Sequence, residues 1–203
     1  MKSSLYSRPN KPKTVTVHDR TRTGAPEMAL PVHKNIVTLD RSTECHVTPP
    51  DVAAYMVDVL ELKPTHRLLE PQAGTGNLAQ AALDDGHPSD RMTLTERSGE
   101  LCHVLRERFE SVTTIQTCFL EFENEGSHAQ RFDRVLANPP FRKTKQHMEA
   151  ALRLLSRDES DDAMLVALVP ITYEHPYAEL IDVLPNDTFA LAKVNTKIIR
   201  IAL

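Results

Sequence analysis

The spacing of apolar residues changes repeatedly along the chain, and each change marks a new element. Pro49-Pro50-Asp51 opens a stretch in which Val52, Tyr55, Met56, Val59 and Leu60 recur at three- and four-residue intervals, which predicts a helix with these side chains on its buried face. Arg67-Leu68-Leu69-Glu70 predicts a short strand, closed by the turn Pro71-Gln72-Ala73-Gly74-Thr75-Gly76, and a helix resumes over Asn77–Leu83. Met92–Glu96 reads as a second strand, Gly99–Phe109 as a helix carrying Leu101, Val104, Leu105 and Phe109, and β-branched Val112–Thr117 as a third strand. Phe132–Ala137 predicts a fourth strand, Gln146–Leu155 a helix, and the unbroken apolar run Met164–Val169 a strand buried on both faces. Tyr177–Leu184 is expected to form a short helix, and Phe189–Val194 and Lys197–Leu203 two closing β segments.

Strands alternating with helices give an α/β fold: a Rossmann-like, doubly wound sheet, mostly parallel, with an antiparallel last strand. Such sheets bind ligands outside the carboxyl ends of their strands, where the strand order reverses. The residues to watch are therefore those that follow strands.

Composition narrows the setting. With 203 residues, 40% hydrophobic and 26% charged, the chain matches a soluble globular domain with a substantial core. Cys45, Cys102 and Cys118 are too widely spaced for a CxxC zinc site or a disulfide framework, so a reducing compartment and no metal are expected. No apolar run is long enough to span a membrane and no apolar signal core opens the chain, which points to the cytoplasm. Charge divides the chain in two. Residues 1–42 hold eight Lys/Arg against three acids, whereas the remainder holds sixteen against twenty-five. With four prolines and no sustained periodicity, residues 1–42 read as a basic, largely irregular arm, and 43–203 as the functional domain. The arm is either a solvated leader or a contact for phosphates.

Three post-strand segments carry candidate chemistry. Glu70 ends the first strand ahead of Gly74-Thr75-Gly76, where glycine permits unusual backbone angles and close approach of a ligand. The same turn would also serve simple strand-to-helix packing, since it lacks the third glycine of the dinucleotide fingerprint. Glu96 ends the second strand, placed either to accept two ribose hydroxyls or to sit in solvent. Thr48 precedes the first helix and either closes over a ligand or caps the helix. The third segment is Asn138-Pro139-Pro140-Phe141, a rigid exit with an amide on one side and a ring on the other.

Taken in order, His46-Val47-Thr48-Pro49-Pro50, then Glu70 to Gly76, then Asn138 to Phe141, the chain resembles the class I S-adenosylmethionine-dependent methyltransferases. Within them it is similar to the amino-group methyltransferases of DNA adenine of small phage and bacterial type, over about residues 44–203. The resemblance implies S-adenosylmethionine held by Glu70, Gly74, Gly76, Glu96 and Phe119, with Thr48 near its methionine end and Asn138 beside it. It implies further that a nucleic acid, DNA ahead of RNA, is the partner, and that modification of phage DNA is the setting.

The tetrapeptide then has a chemical reason. An exocyclic amine is a poor nucleophile because its lone pair is delocalised into the ring, so it must be held and desolvated. The Asn138 side-chain carbonyl can accept one N–H, and by resemblance the Pro139 carbonyl accepts the other, while Pro139 and Pro140 fix both acceptors. Phe141 offers a face for a flipped base. Arg142, Lys143 and Lys145 form a basic edge, either a contact for flanking phosphates or a solvated face. His147, near the start of the next helix, is expected on the surface.

The pattern departs from the resemblance in two places. Cys118 stands where an Asp usually receives the cofactor's adenine amine, and a thiol is a weak acceptor, a loss of order 1 kcal/mol. No target-recognition region of ordinary size is visible, which leaves selection to relaxed specificity, the basic arm or a partner chain. RNA or protein-glutamine methylation, or a binding module that has lost catalysis, stand as alternatives.

Overall fold

The computed structural model of the chain describes residues 13–17, 35–39, 47–124, 132–156, 162–188 and 195–203. In the N-terminal stretch, expected to be largely irregular, β1 (Lys13–Val17) and β2 (Asn35–Leu39) pair antiparallel, Val15 opposite Val37. Alternating Thr and Val in β1 suit a ladder.

The body is a seven-stranded sheet flanked by helices. α1 (Pro50–Leu60) leads into β3 (Leu68–Glu70) and α2 (Asn77–Asp84). β4 (Met92–Glu96), α3 (Gly99–Arg108), β5 (Thr113–Gln116) and α4 (Phe119–Asn124) follow. β6 (Arg134–Ala137), α5 (Thr144–Leu154), β7 (Met164–Pro170), β8 (Glu179–Leu184) and β9 (Thr196–Ala202) complete it. The sheet order is β5-β4-β3-β6-β7-β9-β8. β3 pairs in parallel with both β4 and β6, so the order reverses at β3 and β6; β9 lies antiparallel between β7 and β8.

Alternation along the strands feeds two cores. Leu68, Leu136, Val166, Leu168 and Ile198 face α1 and α2, packing with Met56, Leu60, Leu78 and Ala82. Leu69, Val135, Leu165, Val169 and Ile201 face the opposite side and meet Phe119 and Phe122 of α4 and Met148, Ala151 and Leu154 of α5. The helices after β3 and after β6 therefore lie on opposite faces. Burial of these strands on both faces explains their continuous apolar runs.

The structure corrects several expectations. Tyr177–Leu184 is not a helix: Glu179–Leu184 is an edge strand, because β9 offers it a ladder. Phe189–Val194 lies outside the described residues. On α1 Tyr55 is 39% exposed, and Ala53 and Val57 complete the buried stripe instead. Among the described residues no helix is long and apolar enough to cross a membrane.

At the amino ends of the strands one fully buried cation staples the layers. The Arg134 guanidinium donates from Nε to the Leu60 carbonyl at 2.9 Å, from Nη1 to the carbonyls of Asp133 and Asp162, and from Nη2 to Asp162 Oδ2 at 3.1 Å. Lys63 donates to the same Asp162 oxygen at 2.9 Å, and with Arg134 it holds that carboxyl far below the usual carboxylate range. The pair is asymmetric, since Asp162 is largely exposed and Arg134 is not. Asp162→Ala leaves the buried guanidinium its three carbonyl acceptors but no counter-charge and should cost about 2 kcal/mol, whereas Arg134→Leu leaves those carbonyls without their donor and should cost more. Urea unfolding of both variants checks the order.

Candidate functional site

The turn leaving β3 is strapped to its neighbours. Thr95 Oγ1 donates to the Pro71 carbonyl, and the Ala73 N–H donates to the Thr95 carbonyl at 3.0 Å. Gly74 and Gly76 take φ of 53° and 79°, in the left-handed region. A Cβ on Gly76 would lie 2.6 Å from the Phe109 ring and 2.7 Å from Leu105, so the missing side chain lets the turn close onto α3. Arg108 fixes the other side, donating to the Thr75 carbonyl and to Gln80 Oε1, both at 2.9 Å.

Glu96 is buried, not solvated. Its Oε2 accepts the Gly74 N–H at 2.9 Å and its Oε1 the Ser98 N–H at 2.7 Å, so one carboxylate ties the exit of β4 to the turn after β3. Two bonds use about half of a carboxylate's accepting capacity. Glu70, fully buried, is the contrary case. Burial pushes its carboxyl well above the usual range, the Glu96 carboxylate adds to the effect, and Oε2 has no hydrogen-bond partner among the described residues.

At the exit of β5, Cys118 is half-buried and its carbonyl accepts the N–H groups of Glu121 and Phe122 at 2.9 and 3.0 Å, starting α4. Phe119 is buried, with its ring stacked against Phe122 at 6.4 Å and against His147 at 6.0 Å.

At the exit of β6, Asn138 Nδ2 donates to Thr48 Oγ1 at 3.0 Å, and Asn77 Nδ2 at the start of α2 donates to the Thr48 carbonyl at 2.8 Å. Thr48 is therefore not a helix cap; Pro49 occupies that position without a side-chain cap bond. It joins the turn after β3 to the exit of β6. Pro139 is buried, and Phe141, half-buried, leans on the core beside α1 and α2.

These exits enclose a cavity of about 330 Å³. Thr48, Glu70, Gly74, Glu96, Cys118, Phe119 and Asn138 line it, with Pro140, Arg142 and Lys143 on the β6 side. Gly76, Pro139, Phe141 and Lys145 do not; Lys145 is exposed, 4.0 Å from Glu149 on the next turn of α5. His147 and Gln72 also line it, and neither was expected to. His147, expected on the surface, is 7% exposed, with Nδ1 2.9 Å from Gln72 Nε2. Burial, aided by the Lys143 charge, lowers its pKa to about 4, so the ring is neutral at physiological pH. The β3 turn and α5 meet only through the tertiary fold, so the sole sequence signal for the pair is a polar residue on α5's apolar stripe.

The sequence pattern of the methyltransferase small domain family matches residues 48–161, more than half of the chain. The chain belongs to this family. Solved structures agree on the fold at low identity. TrmN from Thermus thermophilus is 17% identical with a TM-score of 0.58, over 76% of this chain and 49% of that one. A protein described as a modification subunit of a type I restriction enzyme from Vibrio vulnificus is 16% identical with a TM-score of 0.63, over 77% and 44%. The O-methyltransferase from Bacillus cereus, solved with SAH, is 11% identical with a TM-score of 0.61, over 78% and 83%. The chain thus spans about half the length of the first two. No curated protein matches it by sequence.

The cofactor of this methyltransferase domain is S-adenosylmethionine, and the residues fit it. Glu96 has accepting capacity left for ribose hydroxyls, the orphaned Glu70 Oε2 calls for a donor, and Phe119 and Cys118 offer an apolar wall for a purine.

Two stability measurements test this geometry. Gly76→Ala should cost about 2 kcal/mol from its left-handed φ alone, plus the clash with Phe109. Gly86→Ala, at φ 91° with nothing within 4 Å, should cost less. His147 has a folded pKa below its ordinary value, so its contribution to stability is complete above about pH 6.5 and lost as pH falls towards 4. Between pH 7 and 4.5 the wild type should lose about 2 kcal/mol more than His147→Phe, read from denaturant unfolding at each pH.

Proposed function

We propose that the domain transfers a methyl group from S-adenosylmethionine to an exocyclic amine, and that the amine is N6 of adenine in DNA. Asn138 carries this reading. Its amide nitrogen is committed to Thr48 at 3.0 Å, which turns the amide oxygen into the acceptor at the exit of β6, on the wall of the cofactor cavity. The cofactor supplies a methyl group on a sulfonium sulfur. The protein's part is to hold the acceptor nitrogen against it. Asn138 takes one N–H and the Pro139 carbonyl the other, drawing the lone pair out of conjugation; the nitrogen then loses its proton after transfer, so no strong base is needed.

Glu70, Gly74 and Glu96 are assigned to the cofactor, with Gly76 shaping the turn and Cys118 and Phe119 walling the adenine. Arg142 and Lys143, on the cavity rim, are assigned to phosphates beside the target base, and Lys145 to a more distant contact. Phe141 would stack on the base with its exposed side only. Likeness to a restriction-enzyme modification subunit supports DNA. Target selection is assigned to the basic residues of 1–42 or to a partner chain.

The test is incubation with methyl-labelled cofactor and DNA, RNA or cell extract, followed by nucleoside and amino-acid digestion. Label should appear as N6-methyladenine in DNA, and Asn138→Ala should slow transfer by about a hundredfold or more. Label in RNA or in glutamine would replace the DNA substrate. Transfer by Asn138→Ala at the wild-type rate would refute the mechanism.

A further inference from the structure

Gln72 and His147 line the cavity without a part in the chemistry above. Gln72 stands in the turn after β3 and His147 on α5, yet Gln72 Nε2 and His147 Nδ1 are 2.9 Å apart. The imidazole is buried, and its ring lies 6.0 Å from that of Phe119 at an interplanar angle of 22°, which restricts its rotation. In the tautomer that carries its proton on Nε2, Nδ1 accepts from the Gln72 amide nitrogen, and the amide then cannot turn over without setting its oxygen against the Nδ1 lone pair.

The other half of that amide has no such partner. Gln72 Oε1 is buried without a hydrogen-bond partner among the described residues, and so is Glu70 Oε2 two residues earlier. Both residues line the cavity. A buried acceptor without a donor is costly, and two of them, on Glu70 and Gln72 of one cavity wall, are served together by a ligand group with at least two donors. One of the two belongs to the Glu70 carboxyl, which burial pushes towards its neutral form, and a positive charge brought beside it offsets that burial by stabilising the carboxylate. A sulfonium has no donor and an adenine amine no charge; a primary ammonium has both.

We infer that His147, acting through Gln72, orients an acceptor for the ammonium group at the amino-acid end of S-adenosylmethionine, with Gln72 Oε1 and Glu70 Oε2 each taking one N–H. His147 is a positioning residue that need not touch the cofactor. The inference rests on the reading of the cavity as the cofactor site.

Calorimetry at constant pH with two ligands tests it: S-adenosylhomocysteine, which keeps the ammonium, and 5′-methylthioadenosine, which has the nucleoside and sulfur but no amino-acid end. His147→Phe preserves a ring beside Phe119 and removes the acceptor; His147→Asn removes the ring and places an oxygen near Nδ1. His147→Phe and Gln72→Leu should each bind S-adenosylhomocysteine roughly tenfold more weakly, with 5′-methylthioadenosine unchanged, which also shows that the variants are folded. His147→Asn should recover most of the loss. Equal weakening of both ligands, wild-type affinity in His147→Phe, or weaker binding in His147→Asn than in His147→Phe would overturn the inference. Failure of the wild type to bind S-adenosylhomocysteine would remove the cofactor assignment and this inference with it.

Discussion

β3 and β6 lie side by side and parallel, but the chain leaves β3 for a helix on one face of the sheet and β6 for a helix on the other. Diverging exits open a crevice at the carboxyl ends of the two strands, and the chemistry of the domain is gathered there. Glu70 comes from the last position of β3 and Asn138 from the first after β6, so both are placed by strand register. The register is held from the far end, where buried Arg134 in β6 grips the carbonyl that ends α1 and Asp162, two residues ahead of β7. Rigid scaffolding at one edge leaves the other free to carry strained turns and poorly solvated acids.

The crevice is closed by contacts distant in sequence. Thr48 receives Asn77 on its carbonyl and Asn138 on its hydroxyl, so the segment before α1 decides how far apart the two sides of the site stand. Glu96 does the same between β4 and the β3 turn with two backbone N–H groups. The acids thereby divide their work. Glu96 accepts from two backbone N–H groups and acts as a strut; Glu70 is buried with one acceptor unmet among the described residues, a cost that a ligand bringing the missing donor offsets.

Most of the sheet was legible because its signals are local. A run such as Met164–Val169 admits few structures other than a buried strand, and Asn138-Pro139-Pro140-Phe141 fixes its own backbone. Whatever depends on a remote partner was not legible. Glu179–Leu184 becomes a strand because β9 supplies a ladder, and nothing within ELIDVL decides that. His147 is buried because the Gln72 turn and Phe119 come to meet it from two other elements. Thr48 had the local context of a helix cap, and its true partners lie 29 and 90 residues away. α4, with six residues, was too short to show a period.

Cys118 shows how little one departure from a pattern decides. Its carbonyl starts α4, which sets Phe119 on the cavity wall, and that task belongs to the backbone whatever the side chain. In the proposed cofactor site, a thiol in place of an acid removes one good acceptor for the adenine amine, worth about 1 kcal/mol. It would also leave a third carboxylate out of a cavity in which Glu70, its carboxyl already pushed up by burial, also feels the Glu96 carboxylate. In that proposed site a neutral side chain at 118 therefore weakens one contact with the purine and adds no further charge against the Glu70 carboxylate. The charge of the cavity is then concentrated on the β3 and β4 side, where the proposed ribose and ammonium contacts lie.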